Sequence, residues 1–404
     1  EIMVGSKISV IIPVVRPESA KRCIDSINKH LPGAEIVSRI DTERIGCPKM
    51  VNLLTKEATR EWVMFLGDDT ELLDGSESSI ENAINEIGWG VIGLNTQPGN
   101  PKAHWIAHRK MLDILPENVF FAEEYEHCWC DDELFDIANE HGKWVFAEDA
   151  RILHHHPVNQ GPVDHFYEES YSADRCNHDK VVYYKRKRAR KKGGIAIGFP
   201  LVDDRVPVQF FTSFACMEKP EQYILLVPQF PHGPWTGSLA DARNSLVQQA
   251  LDEGCSHLLM LDTDQIYPND TLKKLLSHGK DICGVRVHRR WMPFDPIFLR
   301  GDIGKYQSVS DDEMYSGNLI QVDATGTGCL LFDMGVFLKV NQPWFEFTMK
   351  DEKPVGEDIF FCSKARKEGV NIFVDTSIEV GHLTTMVVNK TLHQICKTMK
   401  ARVK

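Results

Sequence analysis

One order of elements occurs twice in this chain, and that repeat restricts the fold more than any single motif, because a long internal period implies two copies of one folding unit. Residues 8–14 (ISVIIPV) are a β-branched run, followed by Pro17 and a helical pattern with Ile24, Ile27 and Leu31 on one face and Gly33 as its close. Residues 36–41 read as a second strand, and residues 62–69 (WVMFLGDD) as a third that ends in carboxylates. The same order returns from residue 195. Residues 195–199 and 223–227 are strands, and Ser238 with Asp241 reads as a capping box opening a helix with Leu239, Ala242, Leu246, Val247 and Ala250 inward. Residues 257–261 then run into Asp262-Thr263-Asp264. Each acidic strand end is followed by an amphipathic helix and a short strand with glycine, at residues 91–93 and 282–284.

The back halves match as well. Cys130-Asp131-Asp132-Glu133-Leu134-Phe135 parallels Gly356-Glu357-Asp358-Ile359-Phe360-Phe361, each opening a helix that ends near Gly142 or Gly369. Asp132 precedes His155 by 23 residues, and Asp358 precedes His382 by 24. The alternation of strands and helices predicts an α/β fold of two tandem Rossmann-like domains, each a mainly parallel sheet covered on both faces. Their expected bounds are 1–157 and 194–385, with a linker at 158–193 and a helix or tail at 386–404. The linker ends in residues 185–192 (KRKRARKK), seven of eight basic. This tract reads as a solvated helix face between acidic domains, with a nuclear signal or a polyanion-binding surface as the other meanings of such a run.

Composition narrows the class. The 404 residues carry a formal charge of −12, which argues against general duplex-DNA coating. Eleven cysteines without framework spacing suit reduced thiols and a cytoplasmic setting. No apolar run reaches the roughly 18 residues of a membrane span. The N-terminal segment has no charged stretch leading into an apolar one, so no secretion signal is expected there.

The acids carry the chemistry. In open parallel sheets, ligands bind beyond the carboxyl ends of the strands, where Asp68, Asp69, Asp262 and Asp264 fall. Hard oxygen donors suit Mg²⁺ or Mn²⁺. An Asp-x-Asp alone is as readily a helix cap, but Asn269 and Asp270 already supply a cap for the next helix. A lone His382 is more often structural; its counterpart His155 at matching distance favours a functional role. The cluster His127, Cys128, Cys130, His154, His155, His156, Cys176 and His178 fits no common structural zinc spacing.

Taken together, Val-Ile-Ile-Pro, an acid at the second strand end, an Asp-Asp or Asp-x-Asp strand end and a late acidic helix start resemble the GT-A fold of nucleotide-sugar glycosyltransferases. Residues 8–156 are most similar to family 2, and 195–383 to a more divergent member of the same superfamily. The resemblance implies that Asp69 and Asp264 bind Mn²⁺ or Mg²⁺ on the donor diphosphate, with His155 and His382 completing the metal shell. It implies that Asp68 and Asp262 touch the donor, that Asp41 contacts uracil beside Pro13 and Arg16, and that Lys49, Asn52, Arg243 and Asn244 lie over the nucleotide. Asp132 and Asp358 would be the bases that deprotonate the acceptor hydroxyl. A helix-start carboxylate would be held ionised by the helix dipole. With one base and no second nucleophile, inversion is expected. The processive Gln-x-x-Arg-Trp segment is absent after both acidic helix starts, so single-sugar transfer is expected over polymerisation. Gly67 stands where many members have a first Asp, so a degenerate scaffold half, if there is one, would be the N-terminal one. A nucleotidyltransferase, the other enzyme reading, usually needs a Gly-rich phosphate loop that neither first strand supplies.

The implied partners are a nucleotide-sugar, a UDP-sugar first, and an acceptor among glycans, proteins, lipid-linked sugars or modified nucleic acid. Gly326-Thr327-Gly328 reads as a flexible loop near the acceptor or a plain turn. Trp344, Phe345 and Phe347 read as an acceptor wall or as core.

Overall fold

A computed structural model describes residues 3–96, 100–157, 161, 163–191, 193–233, 236–385 and 389–402. It divides into two compact units, residues 1–183 and 184–404.

Unit 1 holds β1 (Ile8–Val14), α1 (Pro17–His30), β2 (Glu35–Ile40), α2 (Cys47–Glu57), β3 (Trp62–Phe65), β4 (Thr70–Leu72), α3 (Ser76–Ile87), β5 (Val91–Thr96), β6 (Trp105–His108), α4 (Cys130–Glu140), β7 (Trp144–His154) and α5 (His165–Ser170). Proline at the first turn opens α1, and Ala20, Cys23 and Ile27 repeat on its buried face. The seven strands are ordered β2-β1-β3-β6-β5-β7-β4. Pairs β1–β2, β1–β3 and β5–β7 are parallel, and β3–β6, β5–β6 and β4–β7 antiparallel. The sheet is therefore mixed rather than mainly parallel.

The helix α6 (Ala173–Arg190) contributes to both units. Unit 2 continues with β8 (Ile195–Gly198), α7 (Val208–Cys216), β9 (Tyr223–Leu226), α8 (Leu239–Asp252), β10 (His257–Leu261), β11 (Gln265–Ile266), α9 (Thr271–Ser277) and β12 (Ile282–Val287). A small sheet of β13 (Phe298–Arg300), β14 (Gln307–Ser308) and β16 (Ala324–Thr325) follows, with α10 (Asp311–Met314) and β15 (Leu319–Val322) between its strands. Then come β17 (Cys329–Asp333), α11 (Val336–Lys339), the pair β18 (Thr348–Lys350) and β19 (Lys353–Val355), α12 (Glu357–Lys367), β20 (Ile372–His382) and α13 (Lys390–Arg402). The capping box read from Ser238 and Asp241 is present at the start of α8.

The large sheet of unit 2 is ordered β9-β8-β10-β17-β12-β20-β11, with β15 also paired to β20. Strand for strand, this is the order of unit 1 with the same directions. Even the irregularity is shared. Leu94 to Asn95 is one step against Ala147 to Arg151, and Val285 to Arg286 is one step against Asp375 to Glu379. A bulge of this kind re-aims the rest of a strand, and here it carries the end of β7 onto β4 and the end of β20 onto β11. The cores are aliphatic. Ile8, Val10, Ile12, Ile27 and Ile92 are among the buried residues of unit 1, and Ile197, Leu259, Leu272 and Leu331 among those of unit 2.

The basic tract is largely structured. Within unit 2, Lys187 is buried and Arg188 makes a two-point ion pair with Asp333, at 2.9 and 2.8 Å. Lys192, its last residue, lies outside the described residues, as do 386–388 of the expected tail.

Candidate active sites at two sheet ends

In unit 1, β4 pairs antiparallel with β7, with Thr70 opposite His154. Asp69, one residue earlier and just outside β4, turns its carboxylate to the imidazole of His154, with Oδ1 3.3 Å from Nε2. In unit 2, Gln265 stands opposite His382, and Asp264 Oδ2 lies 3.4 Å from His382 Nε2. The two Asp–His pairs occupy one position in one topology. His155, named from the sequence, points elsewhere: its Nε2 is 2.7 Å from Glu71 Oε1. The counterpart of His382 is His154.

The acidic helix starts show the same one-residue offset. Asp131 and Asp358 are each the second residue of their helix. Each lets Oδ1 accept the following amide, Asp132 N at 3.0 Å and Ile359 N at 2.7 Å. Downstream, Leu134, Phe135 and Ala138 are buried as Phe361, Cys362 and Ala365 are. Asp132 is instead held by Lys102 Nζ at 2.6 Å. Burial, with the charge of Asp132 second, raises the Asp131 carboxyl to about 7. Burial and then Glu357 raise Asp358 to about 6. The helix dipole, expected to keep these acids fully ionised, is outweighed by desolvation and a like charge.

A cavity of about 1040 Å³ opens at the unit 1 sheet end. All the unit 1 residues proposed from sequence line it except Asn52: Pro13, Arg16, Asp41, Lys49, Asp68, Asp69, Asp132 and His155. Asp68 is buried and accepts the amides of Val15 and Arg16 at 2.7 and 2.6 Å, with Arg16 Nη1 at 3.1 Å. Burial raises its carboxyl in spite of these partners. Burial would raise Asp69 too, but the His154 hydrogen bond and the charges of His154 and Arg16 hold it well below the usual range. Asp41 spends both oxygens on the amides of Ile45 and Gly46, at 2.9 and 3.0 Å. Asn52 is buried and brackets the Phe121 backbone, donating to its carbonyl at 2.7 Å and accepting from its amide at 3.4 Å. Gly67 has a local reason: a Cβ there would stand 2.9 Å from Asp69 Oδ1.

Sequence reasoning missed His104, which is buried beside His154 with ring centroids 4.9 Å apart and its Nδ1 2.9 Å from Thr96 Oγ1. Burial lowers its imidazole to about 3, so it is neutral. Nothing in the local sequence marks it. Also missed was the wall from Asp164 to Tyr171, which read as linker.

In unit 2, Arg243 is buried and bridges Asp262 Oδ1 at 3.0 Å and Glu357 Oε1 at 3.2 Å. Burial opposes its charge, but those carboxylates raise its pKa. Its guanidinium thus serves carboxylates of its own chain. Asn244 brackets the Phe345 backbone, at 2.8 and 3.0 Å, as Asn52 brackets Phe121. The 326–328 loop is wedged between acids. A Cβ on Gly328 would lie 2.9 Å from Asp262 Oδ2, and one on Gly326 3.7 Å from Asp358 Oδ2. Trp344 and Phe345 are core, and only Phe347 of that trio is exposed.

Among the described residues, no three His, Cys, Asp or Glu side chains form a ready metal cage. The donor set does fit a cation that keeps positions for water and phosphate. Each unit offers one carboxylate with one imidazole, and in unit 2 the buried Asp264 Oδ1, Gln265 Oε1 and Thr327 Oγ1 have no hydrogen-bond partner among the described residues. Arg290 Nη1 sits 2.8 Å from Asp264 Oδ2 and would have to give way.

No family model and no curated protein matches the chain. Among solved structures, a protein from STIV is similar at 14% identity over 48% of this chain and 86% of its own, with a TM-score of 0.33. S. aureus TarS 1-349 in complex with UDP-GlcNAc is similar at 15% identity over 46% and 66%, with a TM-score of 0.35. The mannosyltransferase PcManGT from Pyrobaculum calidifontis, in complex with GDP-Man and Mn²⁺, is similar at 12% over 46% and 65%, with a TM-score of 0.34. Likenesses of this extent carry no inference about activity. No helix among the described residues is long and apolar enough to cross a membrane.

Proposed function

We propose that the chain is a divalent-metal-dependent glycosyltransferase that moves one sugar from a nucleotide-sugar, a UDP-sugar first, to an acceptor hydroxyl. The observation that carries this reading is the recurrence, at equivalent sheet ends, of an Asp–His pair together with a helix-start acid raised toward neutrality. Asp69 with His154, and Asp264 with His382, would hold Mn²⁺ or Mg²⁺. When bound, the metal neutralises the leaving diphosphate as a Lewis acid. Arg16 and Lys49 line the unit 1 cavity and would draw the anionic donor into it. Asp131 and Asp358 would accept the acceptor's proton; a base near neutrality is efficient at the working pH. A single displacement with inversion, with Asp131 or Asp358 as the base, is the proposed course.

Both units are proposed to act, in sequence on one acceptor. The alternative, a scaffold N-terminal unit, leaned on Gly67, yet that glycine makes room for the Asp69 carboxylate. Turnover of a UDP-sugar panel with Mn²⁺ or Mg²⁺, with and without chelator, tests the reading. The expected result is hydrolysis or transfer that chelator abolishes and added metal restores. Full turnover in excess chelator would overturn the metal assignment, and no turnover of any nucleotide-sugar would overturn the activity.

A further inference from the structure

One wall of the unit 1 cavity is a strap of polar and aromatic residues. Asp164 grips Arg16 at two points, Oδ2 to Nε at 2.6 Å and Oδ1 to Nη2 at 3.1 Å. Phe166 packs under Arg16 and Arg44, Glu169 pairs with Arg44 at 3.0 Å, and Tyr167 and Tyr171 meet His156 edge-to-face. No residue of α5 is buried, so no hydrophobic core holds this segment down. It is the kind of element that opens at low free-energy cost.

The strap runs into α6, and there Cys176 Sγ lies 3.2 Å from Cys128 Sγ, on the loop that enters α4 and its Asp131. The loop is aligned for this contact. Asp179, fully buried on α6, accepts the amides of Glu126, His127 and Cys128 at 2.8, 2.8 and 2.7 Å. Both thiols are half-buried, within reach of a small oxidant.

We propose that Cys128 and Cys176 form a reversible disulfide that latches the strap against the cavity wall. With glutathione disulfide as oxidant, the Cys176 thiolate attacks one of its sulfurs and expels one glutathione thiolate. Cys128 then gives up its proton to solvent and attacks the Cys176 sulfur, expelling the second glutathione. Two protein thiols are oxidised and one glutathione disulfide becomes two glutathione thiols. The bond closes a loop across a sequence separation of 48 residues and removes the open conformations of everything between. Burial and the neighbouring thiol raise Cys128, which suits it to the second, intramolecular step.

The test uses the full chain, glutathione disulfide, peptide mapping and amide exchange, and does not depend on any transfer activity. The expected result is a linked peptide pair containing Cys128 and Cys176, with neither of these two thiols left free, whatever the exposed Cys216 and Cys396 do. Exchange over residues 164–176 should slow on oxidation, and dithiothreitol should reverse both changes. Cys176→Ser and Cys128→Ser should each prevent the link while leaving the fold unchanged by circular dichroism. Absence of that linked pair while the exposed Cys216 and Cys396 are glutathionylated overturns the proposal, as does a link that leaves exchange over the strap unchanged.

Discussion

Asp131 and Asp358 share a hydrogen-bond geometry and a raised carboxyl, and their pKa values set a pH dependence with a definite sign. The deprotonated base accumulates as pH rises, so transfer by unit 2 should fall as pH drops through about 6, and by unit 1 through about 7. Stability runs the other way. Folded Asp358 holds its proton more tightly than the unfolded chain, so its contribution to stability declines as pH rises from its ordinary value of 3.8 to about 6. Asp358→Asn should therefore lower unit 2 turnover by roughly 10²–10⁴-fold and raise Tm at pH 8 but not at pH 3. In unit 1, Asp131→Asn should lose turnover by a similar factor, while Asp132→Asn, which releases Lys102 and removes the like charge that helps to raise Asp131, keeps most of it and shifts its pH dependence downward. If Asp132→Asn is the inactive variant, the equivalence of Asp131 with Asp358 is wrong.

At the scale of elements, the sequence carried the spacing but not the phase. Asp131-Asp132 offers two acids and residues 154–156 three histidines, so a run of like residues contains no internal marker of register. The phase is set by long-range pairing, Thr70 against His154, and by which residues of α4 face the core. His155 donates its amide to the Asp69 carbonyl at 2.9 Å, while its imidazole reaches Glu71, which lies on the same face of the pairing. The strands β1, β2, β3, β5, β8, β9, β10 and β12 were legible as apolar runs and the capping box of α8 from Ser238 and Asp241, whereas the antiparallel β6 and β17, which make the sheets mixed, were not read. Asn52 and Asn244 were named only through the resemblance, and their shared contacts were not legible, because the Phe121 and Phe345 backbones they bracket are distant in sequence. Asn52→Ala strips a buried amide and carbonyl of partners, which costs about 1–3 kcal/mol. The variant should show a lower Tm with nucleotide affinity per folded molecule unchanged. A large loss of nucleotide affinity at unchanged Tm would restore the direct donor role.

Across the whole molecule, two sheets with one strand order, one bulge and one Asp–His pair support two sites of the same chemistry. Their surroundings differ. Asp68 is tied to Arg16 and the β1 end, whereas Asp262 is tied to the buried Arg243. Such differences suit two donors or two steps. The most direct measurement is calorimetric titration of UDP with Mn²⁺ into the intact chain and into Asp69→Ala and Asp264→Ala. Two sites are expected in the parent, one in each variant, and none when chelator replaces Mn²⁺. Binding that ignores both chelator and the two substitutions, or no UDP binding at all, would contradict that expectation.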